Sequence, residues 1–236
     1  MTSHIKWFGN AFVELVTDRG KKILIDPLLT GNPYCPVKLE DFRKADVVCV
    51  THGHLGHFGN APEIVNQTGA FFVAPREVCA HANYRRGVSE SLLVPMEIGE
   101  TKQLNGVEII RVEGPHAPGP EFEIVEKSYL KLGTNGGFLV VTEEKTAFFH
   151  SGDCLPTPKY SEIRERFHPA VAIVELKKDH TGALEITKLV QPRKVIPFYR
   201  FDPSLAQPKA FKSEVERMQL SVEVPILKPG EGFSVS

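Results

Sequence analysis

Two stretches of the chain repeat one hydrophobic plan. "FVELVTDRGKKILIDP" (Phe12–Pro27) runs apolar segment, Thr with an acidic turn, apolar segment, Asp. "FLVVTEEKTAFFHSGD" (Phe138–Asp153) runs the same way. Each predicts a β-hairpin. The segments that follow also correspond. "DFRKADVVCVTHGH" (Asp41–His54) predicts a short polar helix leading into a strand at Val47–Val50. "IRERFHPAVAIVELKKDH" (Ile163–His180) repeats this, with a strand at Val171–Leu176. Then "APEIVNQTGAFFVAP" (Ala61–Pro75) and "ALEITKLVQPRKVIP" (Ala183–Pro197) each spell an amphipathic helix, a polar turn and a strand stopped by proline. Three matches in one order indicate an internal duplication. Strands alternating with helices predict a layered α/β fold: two mixed sheets face to face, with helices outside. "LNGVEIIRV" (Leu104–Val112) is expected to add a strand to the first half. "GPHAPGPEFEIVEKS" (Gly114–Ser128) is expected to form a loop long enough to cover a site. No linker is visible, so residues 1–236 read as one domain, with halves of about 1–125 and 126–236.

The chemistry concentrates where the first strand-to-helix turn is predicted. "VTHGHLGHFGNA" (Val50–Ala61) places His52, His54 and His57 directly after the apolar strand, among Gly53, Gly56 and Gly59. In extended backbone, residues i and i+2 share a face, so His52 and His54 can point the same way. His57 can reach the same spot from the start of a helix. Imidazole is the commonest side-chain ligand for a borderline metal ion, so the cluster reads as a metal site rather than as polar loop surface.

Composition narrows the setting. The chain has 236 residues and a formal net charge of −1, with basic residues scattered rather than gathered in a stripe. That argues against a nucleic-acid partner. No apolar run is long enough for a bilayer span, and "MTSHIKWFGNAFVE" has no basic stretch followed by an apolar one. Four dispersed cysteines (Cys35, Cys49, Cys79, Cys154) without a CxxC pair fit reduced thiols. A cytoplasmic protein is expected.

"THGHLGH" resembles the THxHxDH signature of the metallo-β-lactamase superfamily. "FGNAFVEL" and "KILIDP" look like the opening hairpin of its small lactonase-like, metal-dependent hydrolase branch. "GPHAPG" resembles the later histidine loop, "HSGD" the Gly-Asp motif and "VIPFY" the closing strand. The resemblance implies an α/β four-layer αββα sandwich of two similar halves. It also implies that His52, His54 and His116 form a first metal site, that Asp153 bridges to a second, and that His57 belongs to that second site. Asp26 would lie beneath the cluster, or simply form a turn before Pro27.

The chain departs from that pattern at three positions. Gly56 stands where the signature has Asp, Tyr199 where the closing strand has His, and Asn10 where a His commonly follows the first strand. A single metal ion with an exchangeable water is therefore a coherent reading, with His57 beneath it or binding through substitutes. His180, Tyr199 and Cys154 are the candidate substitutes, and His150 is not counted among them. Zn2+ is the expected ion, one or two per chain, with Mn2+, Fe2+ or Ni2+ also compatible. The implied chemistry is hydrolysis of a small-molecule lactone, cyclic amide, ester or phosphorylated metabolite. Asp153 would position the attacking water, and Tyr199 or His180 would stabilise the oxyanion or protonate the leaving group. Two alternatives stay open: a non-catalytic metal- or ligand-binding member of the fold, and a metal-dependent nuclease.

Overall fold

The structure is a computed structural model that describes residues 2–116, 135–177, 179–199 and 204–235. The expected covering loop falls almost wholly outside those residues, as do Glu121, Glu123 and Glu126.

The first half opens with β1 (Ser3–Trp7), β2 (Val13–Val16) and β3 (Lys22–Ile25), a meander of antiparallel neighbours. Next come β4 (Val47–Cys49), the short α1 (Leu55–Phe58), α2 (Ala61–Thr68), β5 (Phe71–Ala74), α3 (Arg76–Arg86) and β6 (Leu93–Pro95), with β4, β5 and β6 added in parallel. The second sheet contains β7 (Thr101–Leu104), β8 (Val107–Glu113), β9 (Gly136–Val141), β10 (Ala147–His150), β11 (Val171–Glu175) and β12 (Lys194–Phe198). Its helices are α4 (Tyr160–Phe167) and α5 (Thr181–Val190). Then α6 (Ala206–Arg217) leads to β13 (Gly232–Val235), which returns to the first sheet beside β1.

The duplication is visible in the pairing. β2-β3-β4-β5 joins antiparallel, parallel, parallel, and β9-β10-β11-β12 does the same. Two expectations change. "LNGVEIIRV" enters the second sheet, because β8 pairs with β9 over six residue pairs. The polar segment before β4 forms one 3-10 turn, Leu39–Asp41, in place of a longer helix.

Strand alternation sorts the apolar residues into layers. Ile23, Ile25, Val47, Cys49 and Val73 join the core shared with the second sheet. Their neighbours Leu24, Val48, Val50, Phe72 and Ala74 pack outward with Ile64, Val65 and Val78 of α2 and α3. Ile163 of α4 and Ile186 and Val190 of α5 are buried on the other side. The result is an αββα sandwich, with strand ends and the turns after them converging at one edge.

Candidate metal centre and its cavity

β4 delivers Thr51 and His52 fully buried to the end of the first sheet, and His54 stands at the N-cap of α1. The turn closes so tightly that Gly59, at φ +44°, leaves no room for a side chain. A Cβ there would lie 2.4 Å from the Pro27 carbonyl oxygen. From the second half, Gly152 takes φ +55° against Thr51 and presents Asp153. His116 is fixed by an antiparallel bridge to Cys154 and by Leu155 N–H donating to Pro115 at 2.7 Å.

These elements bring His52, His54, His116 and Asp153 together. One ligand atom from each can be chosen so that all lie within 4.8 Å of one another. His52 Nε2 is 2.7 Å from His54 Nδ1, and Asp153 Oδ2 is 3.6 Å from His52 Nε2 and 3.8 Å from His116 Nε2. Three imidazoles and a carboxylate suit a borderline divalent ion.

Beneath them lies a hydrogen-bonded base. Asp26, fully buried, accepts from Thr51 N–H and Thr51 Oγ1, each at 2.7 Å. Since Thr51 donates to Asp26, its oxygen is left to accept from His52 Nδ1 at 3.1 Å. That fixes the proton on Nδ1 and turns a bare Nε2 into the cluster. Burial, with the positive His57 beside it, lowers the His52 pKa well below the usual histidine value. The turn expected at Asp26 is thus also a support for the ligands.

His57 has a different posture. Its Nδ1 donates to Asp26 Oδ2 at 2.7 Å and its Nε2 to Asp153 Oδ1 at 3.0 Å. Burial opposes its charge, but Asp153 and Asp26 outweigh burial and raise its pKa well above the usual value. The same pairing, against burial, holds the Asp153 carboxyl far below the ordinary range. His57 therefore adjoins the four-residue group as a donor to its carboxylate.

A cavity of about 690 Å³ opens beside His57 and Asp153. It is bordered by Asn10, Gly56 and Tyr199, the three positions of departure noted in the sequence. Tyr199 is packed against Trp7, ring centroids 5.5 Å apart.

A model of the beta-lactamase superfamily domain matches residues 21–198. The chain belongs to the beta-lactamase superfamily. It is 36% identical over 235 residues to a UPF0173 metal-dependent hydrolase of Methanopyrus kandleri, covering 97% of this chain and 98% of the relative. It is also similar to the solved structure of Igni18, a metallo hydrolase from the hyperthermophilic archaeon Ignicoccus hospitalis. The TM-score is 0.82 at 29% identity, with 100% and 99% of the two chains covered. Isothiocyanate hydrolase from Delia radicum gut bacteria shares the fold, with TM-score 0.68, 19% identity, and 98% and 99% covered.

Of the other candidates, His180 does not border the cavity. It caps α5 at φ +56°, with Nδ1 3.5 Å from Glu214 and its ring edge-on to Phe211 of α6. Its ring is engaged by α6 rather than by the histidine cluster. Cys154 is buried, and burial pushes its thiol up to about 12, so it behaves as a small apolar residue. His150 accepts from Gly152 N–H on Nδ1 at 3.0 Å and donates from Nε2 to Ala11 carbonyl at 2.8 Å, bracing the Asp153 turn. Sequence reading passed over Thr51, whose only signal was its place beside His52. It also passed over Arg111, which is buried and donates to the Thr51 carbonyl at 2.7 Å.

Asp26→Asn tests the base. It keeps the size but removes the charge that His57 and Thr51 meet, and the expected loss of metal affinity is about 10–100-fold. A chelator-competition titration measures it. Unchanged affinity would mean that Asp26 serves the turn alone.

Proposed function

We propose that this chain is a metal-dependent hydrolase of a small molecule, working with one ion held by His52, His54, His116 and Asp153. The observation that carries this reading is the convergence of these four residues, with Asp153 of the group lining the cavity. When bound, a divalent ion would polarise the bond under attack and lower the pKa of a coordinated water from about 15.7 toward about 7. The protein supplies the rest. Thr51 and Asp26 hold His52 in the ligating tautomer. His57 fixes the rotation of Asp153 through Oδ1, leaving Oδ2 toward His52 and His116. Tyr199, at the cavity wall, is assigned to stabilise the developing oxyanion. Zinc is the ion favoured by the donor set.

The substrates proposed are lactones, cyclic amides, esters and phosphorylated metabolites. No helix among the described residues is long and apolar enough to cross a membrane. All four cysteines are free thiols, which supports the cytoplasm as the site of action.

The test is turnover of a panel of those classes by protein stripped with chelator and then reloaded with zinc. Hydrolysis of at least one class, lost on stripping and regained on reloading, is expected. Metal-loaded protein that binds panel members without turning any over would favour a binding role instead.

A further inference from the structure

Glu175 and Lys177 border the same cavity as Asp153 and His57 and have no part in the metal centre. Glu175 is the last residue of β11, paired with Phe198 of β12, and Leu176 N–H donates to the Phe198 carbonyl at 2.7 Å. The sheet thus fixes the backbone that carries the carboxyl. By strand alternation Glu175 continues the face of Val171 and Ile173, whose side chains are fully buried. Where that apolar face runs out at the sandwich edge, the next side chain is an acid. Its Oε2 is shielded from solvent, with Lys177 Nζ 3.3 Å away. Lys177 is half-exposed and links the pair to solvent.

We propose that Glu175 is a catalytic residue, the acid that protonates the leaving group, and that the substrate is a bond whose leaving atom needs a proton: an aliphatic ester, a lactone or an amide. This rests on the hydrolase reading above. Water adds through its oxygen to the acyl carbon and loses one proton to solvent. The bond from that carbon to the leaving oxygen or nitrogen breaks, its electron pair staying on the leaving atom, which takes the proton of Glu175. The new carboxylic acid ionises, and the proton it releases restores Glu175. One water is consumed and nothing is oxidised or reduced.

The charges around Glu175 agree with this role. Burial raises its pKa. Lys177 pulls the other way. A donor does best when its pKa lies near the working pH.

The experiment compares wild type and Glu175→Gln, both zinc-loaded, on γ-butyrolactone and ethyl acetate and on 4-nitrophenyl acetate, whose leaving group departs unaided. The expected loss is about 10²–10⁴-fold on the first two probes and only a few-fold on the third. Equal losses on all three, or none, overturn the donor role. Metal content and melting temperature of the variant show whether it is intact. A second measurement needs no turnover: NMR titration of the glutamate carboxyl carbons, with Glu175 assigned by its absence in Glu175→Gln. A midpoint near neutrality that rises further in Lys177→Met supports the proposal. A carboxyl ionised throughout the neutral range overturns it. Wild type that holds its metal and hydrolyses none of the three probes overturns the acyl substrate class proposed here, and the donor role falls with it, while the hydrolase reading stands or falls on the wider panel. Loss confined to the Glu175 variant on the unactivated probes would leave both standing.

Discussion

His116→Ala is expected to strip the protein of its tightly held metal. Elemental mass spectrometry should find about one ion per wild-type chain purified without added metal or chelator, and almost none in the variant. His116 is a better choice than His52 for this test. Its side chain is one-fifth exposed, while His52 is sealed in the core and bonded to Thr51. Removing His52 would confuse loss of a ligand with damage to the core. The backbone at His116 is held by its bridge to Cys154, which the substitution leaves alone. Losing a direct ligand should cost more than the roughly 100-fold that marks the upper end for the residues supporting ligands. Stability gives a second view. An ion present at about 1,000 times its dissociation constant stabilises the fold by about 4 kcal/mol. In a chain of this length that corresponds to a fall in melting temperature of about 8–16 °C on chelation. The variant should melt at the same temperature with or without chelator. A variant that kept a full complement of metal would remove His116 from the site.

Gly56→Asp is expected to raise the metal content from about one to about two per chain. Space and backbone both permit it. An added Cβ at Gly56 meets nothing within 4 Å, and the glycine does not sit in the left-handed region. The new carboxylate would enter the cavity beside His57 and Asp153. In the wild-type protein His57 spends both ring protons on carboxylates. Taking up a second ion requires His57 to give up the Nε2 proton, which a neighbouring ion favours once a further anion helps to hold it. The second ion should bind more weakly than the first, because Asn10 and Tyr199 still replace imidazoles. A variant that stays at one ion would show that the missing carboxylate is not what limits the site. Two ions in the wild type would overturn the single-ion reading itself.

The fold was legible because its evidence is periodic. The hairpins at 12–27 and 138–153, and the helix-strand units after them, repeat in both pattern and pairing. What periodicity cannot express is which sheet a strand joins. In "LNGVEIIRV" Val107 and Ile109 are buried on one face, but an inward face is the same in either sheet. The short, spaced histidines were legible for a similar reason: local spacing sets which side chains can converge. His116 and Asp153 come from distant segments, so only the resemblance pointed to them. Glu175 and Lys177 were not legible at all. In sequence they are charges at the end of a strand, and only the meeting of the two sheets shows that they face Asp153's cavity. His180 failed for the opposite reason. The duplication puts it in the loop equivalent to the histidine turn, but Glu214 and Phe211 of α6 engage its ring away from the cavity.

Trp7 is the only tryptophan of the chain, and its ring lies against Tyr199 at the cavity wall. The molecule therefore carries its own optical reporter. A compound settling beside Tyr199 alters the surroundings of the one indole and should shift its emission. Ligands can then be sought by fluorescence from unlabelled protein, before any reaction is known and in variants that no longer turn over.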